Sequence, residues 1–257
     1  MFPYRDENPS ILRPVVTVGL IVANLVVWVL VQGMGAPVAL GSSVCELGLI
    51  PGDLLGRLPT GYAIPIGEQM ACVVEAGRPW QTLFTSMFLH GGWLHLIGNI
   101  WFLWVFGNNV EDAMGHVRFF FFYVLCGVAA AVAQVVVDPS SPVPMVGASG
   151  AISGVMGAYA ILYPRVRIHT LVVLVVLFFR VAVPAWVMLG YWFLLQLLST
   201  GMGEVGGVAF WAHIGGFVAG VLLIYPFRSA VLLANRSKLI EARAWGAPGG
   251  GLHERRG

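Results

Sequence analysis

The chain has 257 residues, of which 58% are hydrophobic and only 10% charged, and its mean hydropathy is +0.83. Water-soluble domains carry about a quarter charged residues, so an ordinary soluble globule is excluded. The net charge of +2 is too small for a nucleic-acid surface, and the cations are sorted by loop rather than clustered.

Apolar runs near the ~20 residues needed to cross a bilayer predict helices at Pro14–Val31, His90–Phe106, Phe119–Val137, Val146–Tyr163, Pro184–Leu198 and Val208–Phe227. The expected fold is all-α: a polytopic bundle of six transmembrane helices with a long, partly membrane-embedded first loop. Domain organisation follows as a cytoplasmic segment 1–13, a membrane domain 14–228 and a basic tail 229–257, a short helix fraying into disorder. The apolar stretch Leu171–Phe179, closed by Arg180, is too short for a seventh span and reads as interfacial or re-entrant.

Loop cations set the orientation. With six spans, Arg5, Arg13, Arg118, Arg165, Arg167, Arg228, Arg236, Lys238, Arg243, Arg255 and Arg256 share one side, against Arg57 and Arg78 on the other. Both termini are therefore expected in the cytoplasm. The first span has no small-residue cleavage site after it and reads as an uncleaved anchor. Asn24 within it reads as packing glue against a neighbouring helix.

Gln32–Thr82 is a long external connection whose apolar residues (Leu54, Leu55, Leu58, Ile64, Ile66, Trp80) suggest a folded loop in the membrane interface. Cys45 and Cys72 both lie in it, on the side where disulfides persist; that permits a bond without requiring one. Cys126, inside the third span, reads as a small core residue.

His90-Gly-Gly-Trp-Leu-His95-Leu-Ile-Gly-Asn99 opens the second span. His95 and Asn99, four apart, share one helical face. Such groups are costly in a membrane unless paired or lining a wet cavity. Two stacked donors suit a developing oxyanion; a metal pair wanting a third ligand, or a structural network, are the other readings. Glu111 and Asp112 fall in the cytoplasmic turn after this span and read as cap and turn residues, with His116 an ordinary surface histidine.

Ser149 lies in the first turn of the fourth span, in Gly147-Ala-Ser149-Gly150. Backbone N–H groups there lack intrahelical acceptors, and the helix dipole favours negative charge. Ser153 is the rival nucleophile, one turn deeper and without a preceding glycine. The sixth span carries His213, followed by Gly216 and Gly220 on a small-residue face suited to the fourth-span glycines. Spans two, four and six all run inward, so at about 1.5 Å per residue His95, Ser149 and His213 share one depth. A serine needs a base within reach, which His213 can supply. Asp138 and Glu204 are the nearest acids in that compartment and read as solvated, leaving a Ser–His dyad without an acid.

Together these segments resemble the rhomboid family of intramembrane serine proteases, from about residue 6 to 227. The carrying residues are Gly147-Ala-Ser149-Gly150, Ala212-His213-Ile-Gly and the His90…His95…Asn99 series. The resemblance implies that Ser149 is the nucleophile and His213 the general base. His95, Asn99 and the Ser149 N–H would form the oxyanion hole, and His90 would help hold the first loop. It further implies cleavage of single-span membrane proteins near the outer face, in contact with lipid, without metal or cofactor and with no nucleic-acid partner. The expected location is a multi-pass protein of a bacterial cytoplasmic membrane. Two positions depart from the family pattern: Ser153 stands where some members place an aromatic against the base, and Trp80-Gln81-Thr82 replaces a Trp-Arg pair.

Two other readings compete. A catalytically silent relative that binds membrane clients should lack Ser149 or His213, and a small transporter should carry polar residues through the full depth of the bundle. Ala158–Leu162 and Val221–Ile224 are apolar instead.

Overall fold

The computed structural model describes residues 2–66, 70–75, 80–174, 177–201 and 209–244. A short strand β1 (Phe2–Asp6) precedes helix α1 (Val15–Leu30). The first loop holds α2 (Pro37–Leu47), α3 (Pro51–Leu54), strands β2 (Ala63–Ile66) and β3 (Met70–Val73), and α4 (Thr82–Thr85). Then come α5 (Trp93–Met114), α6 (His116–Val137), α7 (Ser149–Leu162), strands β4 (Arg167–Leu174) and β5 (Leu177–Pro184), α8 (Ala185–Thr200), α9 (Phe210–Phe227) and α10 (Ala230–Ala244).

Helices α1 and α5 to α9 fall on the six apolar runs read from the sequence. By length and composition α6 and α9 are sufficient to cross a membrane, whereas α1, α7 and α8 are shorter apolar helices. α5 is as long as α6 but carries Asn108, Asn109, Glu111 and Asp112 in its last two turns. Gly115 then reverses the chain into α6 at φ +80°, a left-handed conformation that glycine adopts without a steric penalty.

The chain is mostly helical, but not all-α. β4 and β5 form an antiparallel hairpin from Arg167↔Pro184 to Leu174↔Leu177, and β1 adds to its free edge with Phe2 opposite Leu171 and Asp6 opposite Ile168. The described residues of Leu171–Phe179 therefore lie in strands. The run's Val and Phe content suits a pleated ladder, but an apolar run alone does not separate strand from helix. The partner β1 lies some 165 residues away in sequence, so only the fold reveals it.

α7 is the axis of the molecule, buried without interruption from Gly150 to Tyr159. It sits against α9 at backbone contact. A Cβ built on Gly220 would lie 1.9 Å from Gly154 O, and one on Gly216 only 2.0 Å from Gly150 O. α6 closes the third side, where Cys126 Sγ would meet a Cβ on Gly154 at 2.5 Å. Below this glycine seam Val155, Met156 and Tyr159 pack with Phe106, Phe119, Phe122 and Tyr123 into the main apolar core.

At the end of the bundle that holds β1 and α10, the acidic turn residues are buried: Glu111 caps the first helix, and Asp112 holds the segment just before it. Glu111 accepts from the Val16 and Thr17 N–H groups at 2.9 and 2.8 Å and from the Thr17 hydroxyl at 2.7 Å. Asp112 accepts from Ile11 and Leu12 N–H, both at 2.6 Å. His116 Nδ1 lies 2.5 Å from Glu111 Oε1. Two otherwise orphaned N–H groups in the first turn of α1 are thereby satisfied by Glu111, and two more in the segment just before it by Asp112. Burial raises the carboxyl pKa of both Asp6 and Asp112. Asp6 is held by the Tyr159 hydroxyl at 2.6 Å and Asn109 Nδ2 at 2.8 Å. From α10, Arg236 donates to Asn8 Oδ1 and Pro9 O and lies 4.9 Å above the Tyr163 ring.

At the opposite end the first loop packs on α6 through α3 and α4. Leu49 and Met145 exchange both backbone hydrogen bonds, at 3.0 and 2.7 Å, tying the loop to the segment just before Ser149. Cys45 of α2 and Cys72 of β3 are disulfide-bonded across 27 positions. Closing a loop of that size stabilises by about 3–4 kcal/mol in the chain-entropy account. Arg57 is exposed but its backbone is held at 2.7 Å by the Gly52 carbonyl, so trypsin should cut there much faster in the double variant Cys45→Ser, Cys72→Ser, whose loop opens more readily, than in the oxidised protein. Equal rates would show that the loop is held by its other contacts.

Candidate active site

Ser149 is the first residue of α7, behind the N-cap Ala148. The peptide N–H groups of this turn have no acceptor within the helix. His213 sits one turn into α9, and the glycine seam sets how closely the two helices approach. The result is a hydrogen bond of 2.8 Å between Ser149 Oγ and His213 Nε2. Two residues 64 apart in sequence are joined because the helices that carry them have no side chains between them.

Gly147 shapes the approach to Ser149. Its φ is +131°, and a Cβ there would lie 2.7 Å from His95 Nε2 and 3.5 Å from Ser149 Oγ. The His95 ring and the serine hydroxyl thus border the same small volume, which only glycine leaves open. Gly150 serves packing: its Cβ would stand 2.6 Å from Ala130 Cβ of α6.

His95 accepts from the Gly91 N–H at Nδ1, at 3.2 Å. An accepting Nδ1 leaves the proton of the neutral ring on Nε2, the nitrogen that faces Gly147. Asn99, one turn on, is buried, and among the described residues its Nδ2 has no partner. A buried amide with an unspent donor is expensive; here it borders a cavity of about 1190 Å³ that is also lined by His95, Ser149 and His213. His90 is fully buried behind this pair, its ring edge-on to His95 with centroids 5.2 Å apart. Its backbone N–H and C=O are both clamped by the Gln32 side chain at 2.8 Å, which links α5 to the first loop.

Ser153 has a different arrangement. It is 1% exposed and donates to the Ser149 carbonyl at 2.6 Å, a bond within its own helix. Of the acids considered from sequence, Asp138 is exposed at the C-cap of α6, and Glu204, with the rest of 202–208, lies outside the described residues. Among the described residues no group of three or more His, Cys, Asp and Glu is arranged to hold a metal ion.

Two neighbours of His213 come from α8 and were not anticipated. Gln196 Oε1 lies 2.8 Å from His213 Nδ1. Trp192, one turn earlier, places its ring 5.9 Å from the imidazole at 39°, the aromatic contact that Ser153 cannot supply from α7. A signal was present: Gln196 is the lone amide in an otherwise apolar helix, four residues after Trp192 and so on the same face.

Comparison with known proteins bears on the same stretch. A family model described as Rhomboid domain matches residues 77–230, which contains every one of these site residues. RHOMBOID-like protein 5 of Arabidopsis thaliana is 29% identical over 192 residues, 68% of this chain and 58% of that protein. Rhomboid protease GluP of Bacillus subtilis is 32% identical over 177 residues, 66% of this chain and 31% of that protein. Rhomboid protein 1, mitochondrial, of Saccharomyces cerevisiae is 29% identical over 171 residues, 64% of this chain and 46% of that protein. The chain thus spans between about a third and three fifths of the length of these relatives. They come from a plant, a bacterium and a mitochondrion, so kinship alone does not choose the membrane. With the match covering more than half of its length, the chain belongs to the rhomboid family.

Proposed function

We propose that this chain is an intramembrane serine endopeptidase that hydrolyses peptide bonds of single-span membrane proteins near the outer membrane face. The observation that carries the reading is the 2.8 Å bond from Ser149 Oγ to His213 Nε2 at the mouth of a cavity lined by His95 and Asn99. Ser149 Oγ attacks the scissile carbonyl carbon while its proton passes to Nε2. The oxygen that gains charge is met by the His95 Nε2–H, the Asn99 amide and the Ser149 N–H. The imidazolium returns the proton to the leaving amine, and water then hydrolyses the acyl-enzyme by the same exchange.

In this reading α1 and α5 to α9 cross the membrane, the latter set enclosing α7. Both termini lie in the cytoplasm, with the location a bacterial cytoplasmic membrane. The brevity of α7 suits a serine that sits below the outer surface. The apolar plug of Val155, Met156 and Tyr159 beneath the site supports a dead-end cavity over a conduction path.

Labelling of the purified protein with a fluorophosphonate tests the reading. The wild type should label, and Ser149→Ala and His213→Ala should not; a well-folded wild type that stays unlabelled would move the client-binding reading to the front. The donors predict a further pattern. His95→Ala and Asn99→Ala should each lower kcat by about 10²-fold with little change in KM. A loss confined to KM would make them binding residues instead.

A further inference from the structure

Gln196 has no role in a two-residue dyad, yet it makes the second of the two hydrogen bonds that fix the His213 ring. Nε2 faces Ser149 Oγ and Nδ1 faces Gln196 Oε1, each at 2.8 Å. A neutral imidazole carries one proton on one nitrogen. The amide oxygen can only accept, so Nδ1 must be the donor and Nε2 is left with its lone pair toward the serine. That tautomer is the one able to take the serine proton. In the other, Nε2–H would point at Oγ and the ring could not act as a base.

We propose that Gln196 is a positioning residue that holds His213 in the Nδ1–H tautomer and aims its Nε2 lone pair at Ser149. This inference deepens the protease reading and rests on it for its catalytic consequence; the tautomer itself is independent of activity. Three features support it. Gln196 is the lone amide of α8, where an unpaired polar side chain would be costly in a membrane. Trp192 on the same face of α8 walls the imidazole, so two side chains one turn apart converge on one ring. And no carboxylate among the described residues is bonded to His213.

An amide also suits the setting. It holds the ring through a dipole and needs no second buried charge, which would carry a desolvation penalty before the imidazolium forms. The bond reaches across a helix boundary. α8 is held to α9 beside it by Trp192 and Phe193 against Phe217, so alignment of the base depends on α8 being seated.

The test uses the full chain in proteoliposomes with Gln196→Leu, Gln196→Glu and Gln196→Asn. Leu cannot accept, Glu accepts with a side chain of the same length, and Asn is too short by one methylene. Fluorophosphonate labelling rates read Ser149 reactivity without a membrane substrate, and ¹⁵N-histidine NMR reads the His213 tautomer whether or not the protein is active. We expect Gln196→Leu and Gln196→Asn to label about 10- to 100-fold more slowly, with reporter kcat reduced and KM unchanged. Gln196→Glu should stay within a few-fold of wild type. The His213 signal should be Nδ1–H in wild type and in Gln196→Glu, and mixed in Gln196→Leu. Wild-type labelling in Gln196→Leu, a loss in Gln196→Glu as deep as in Leu, or an Nε2–H wild type would each overturn the proposal. An Nδ1–H wild type that never labels would uphold the tautomer and sink the protease reading.

Discussion

Turnover of a membrane-embedded reporter should fall by about 10⁴- to 10⁶-fold in Ser149→Ala, and nearly as far in His213→Ala. The double variant should be no worse than either single one, because nucleophile and base act as a unit and the loss of one leaves nothing for the other to do. Ser153→Ala should keep activity within about tenfold. Its hydroxyl is committed to the Ser149 carbonyl at 2.6 Å inside α7, and a bond of that kind contributes about 1 kcal/mol or less. Single-turnover cleavage in proteoliposomes separates these outcomes. Additive losses at Ser149 and His213 would mean that the two do not share a step. Survival of Ser149→Ala beside loss in Ser153→Ala would transfer the role one turn down the helix.

Adding one methyl group at Gly216 should disable the protein more thoroughly than removing a large core side chain elsewhere. The new Cβ would stand 2.0 Å from Gly150 O, and a backbone carbonyl in a buried helix cannot rotate away as a side chain would. α9 must move outward, and His213 lies one turn from the point of contact. A displacement of about 1 Å costs on the order of 10²-fold in rate, and overpacking of this sort costs about 1–3 kcal/mol of stability. Gly220→Ala, at 1.9 Å from Gly154 O, should destabilise comparably. Gly19→Ala in α1 is the control: nothing lies within 4 Å of its new Cβ, and replacing a helical glycine there should stabilise by up to about 1 kcal/mol. Thermal melts in detergent alongside reporter cleavage decide the matter. An active, stable Gly216→Ala would show that the helices do not rely on backbone contact.

The two ends of the molecule differ in how much of them could be read in advance. At the site, the glycines around Ser149, the His95–Asn99 spacing and the position of His213 after the start of its run all pointed to one depth. Each is a local pattern, and helical rise converts local spacing into depth. At the other end, Glu111 and Asp112 read as cap and turn residues, and Glu111 is a cap, but of α1, some 95 residues away, while Asp112 holds Ile11 and Leu12 just before that helix. A carboxylate beside a turn looks the same in sequence whether it caps its own helix or another. The sheet escaped for the same reason, since strand pairing of β1 with β4 is a long-range choice that the nine-residue apolar run Leu171–Phe179 does not display.

What the sequence determined by itself was what depends on composition and on spacing within one element: the apolar helices, their order, the small-residue faces, and a serine at a helix N-terminus. Hydrophobic transfer and helical periodicity act residue by residue, so these are written into each segment alone. Only the tertiary structure decided which groups touch. It made Gln196 of α8 the partner of His213 Nδ1. It also bonded Cys45 to Cys72 and drew Arg236 under the start of the chain. The pairing of Ser149 with His213 likewise follows from how closely α7 and α9 approach, which is set by the absence of side chains at Gly154, Gly216 and Gly220 on two different helices at once. Such a distance belongs to a pair of surfaces, and no single stretch of sequence contains it.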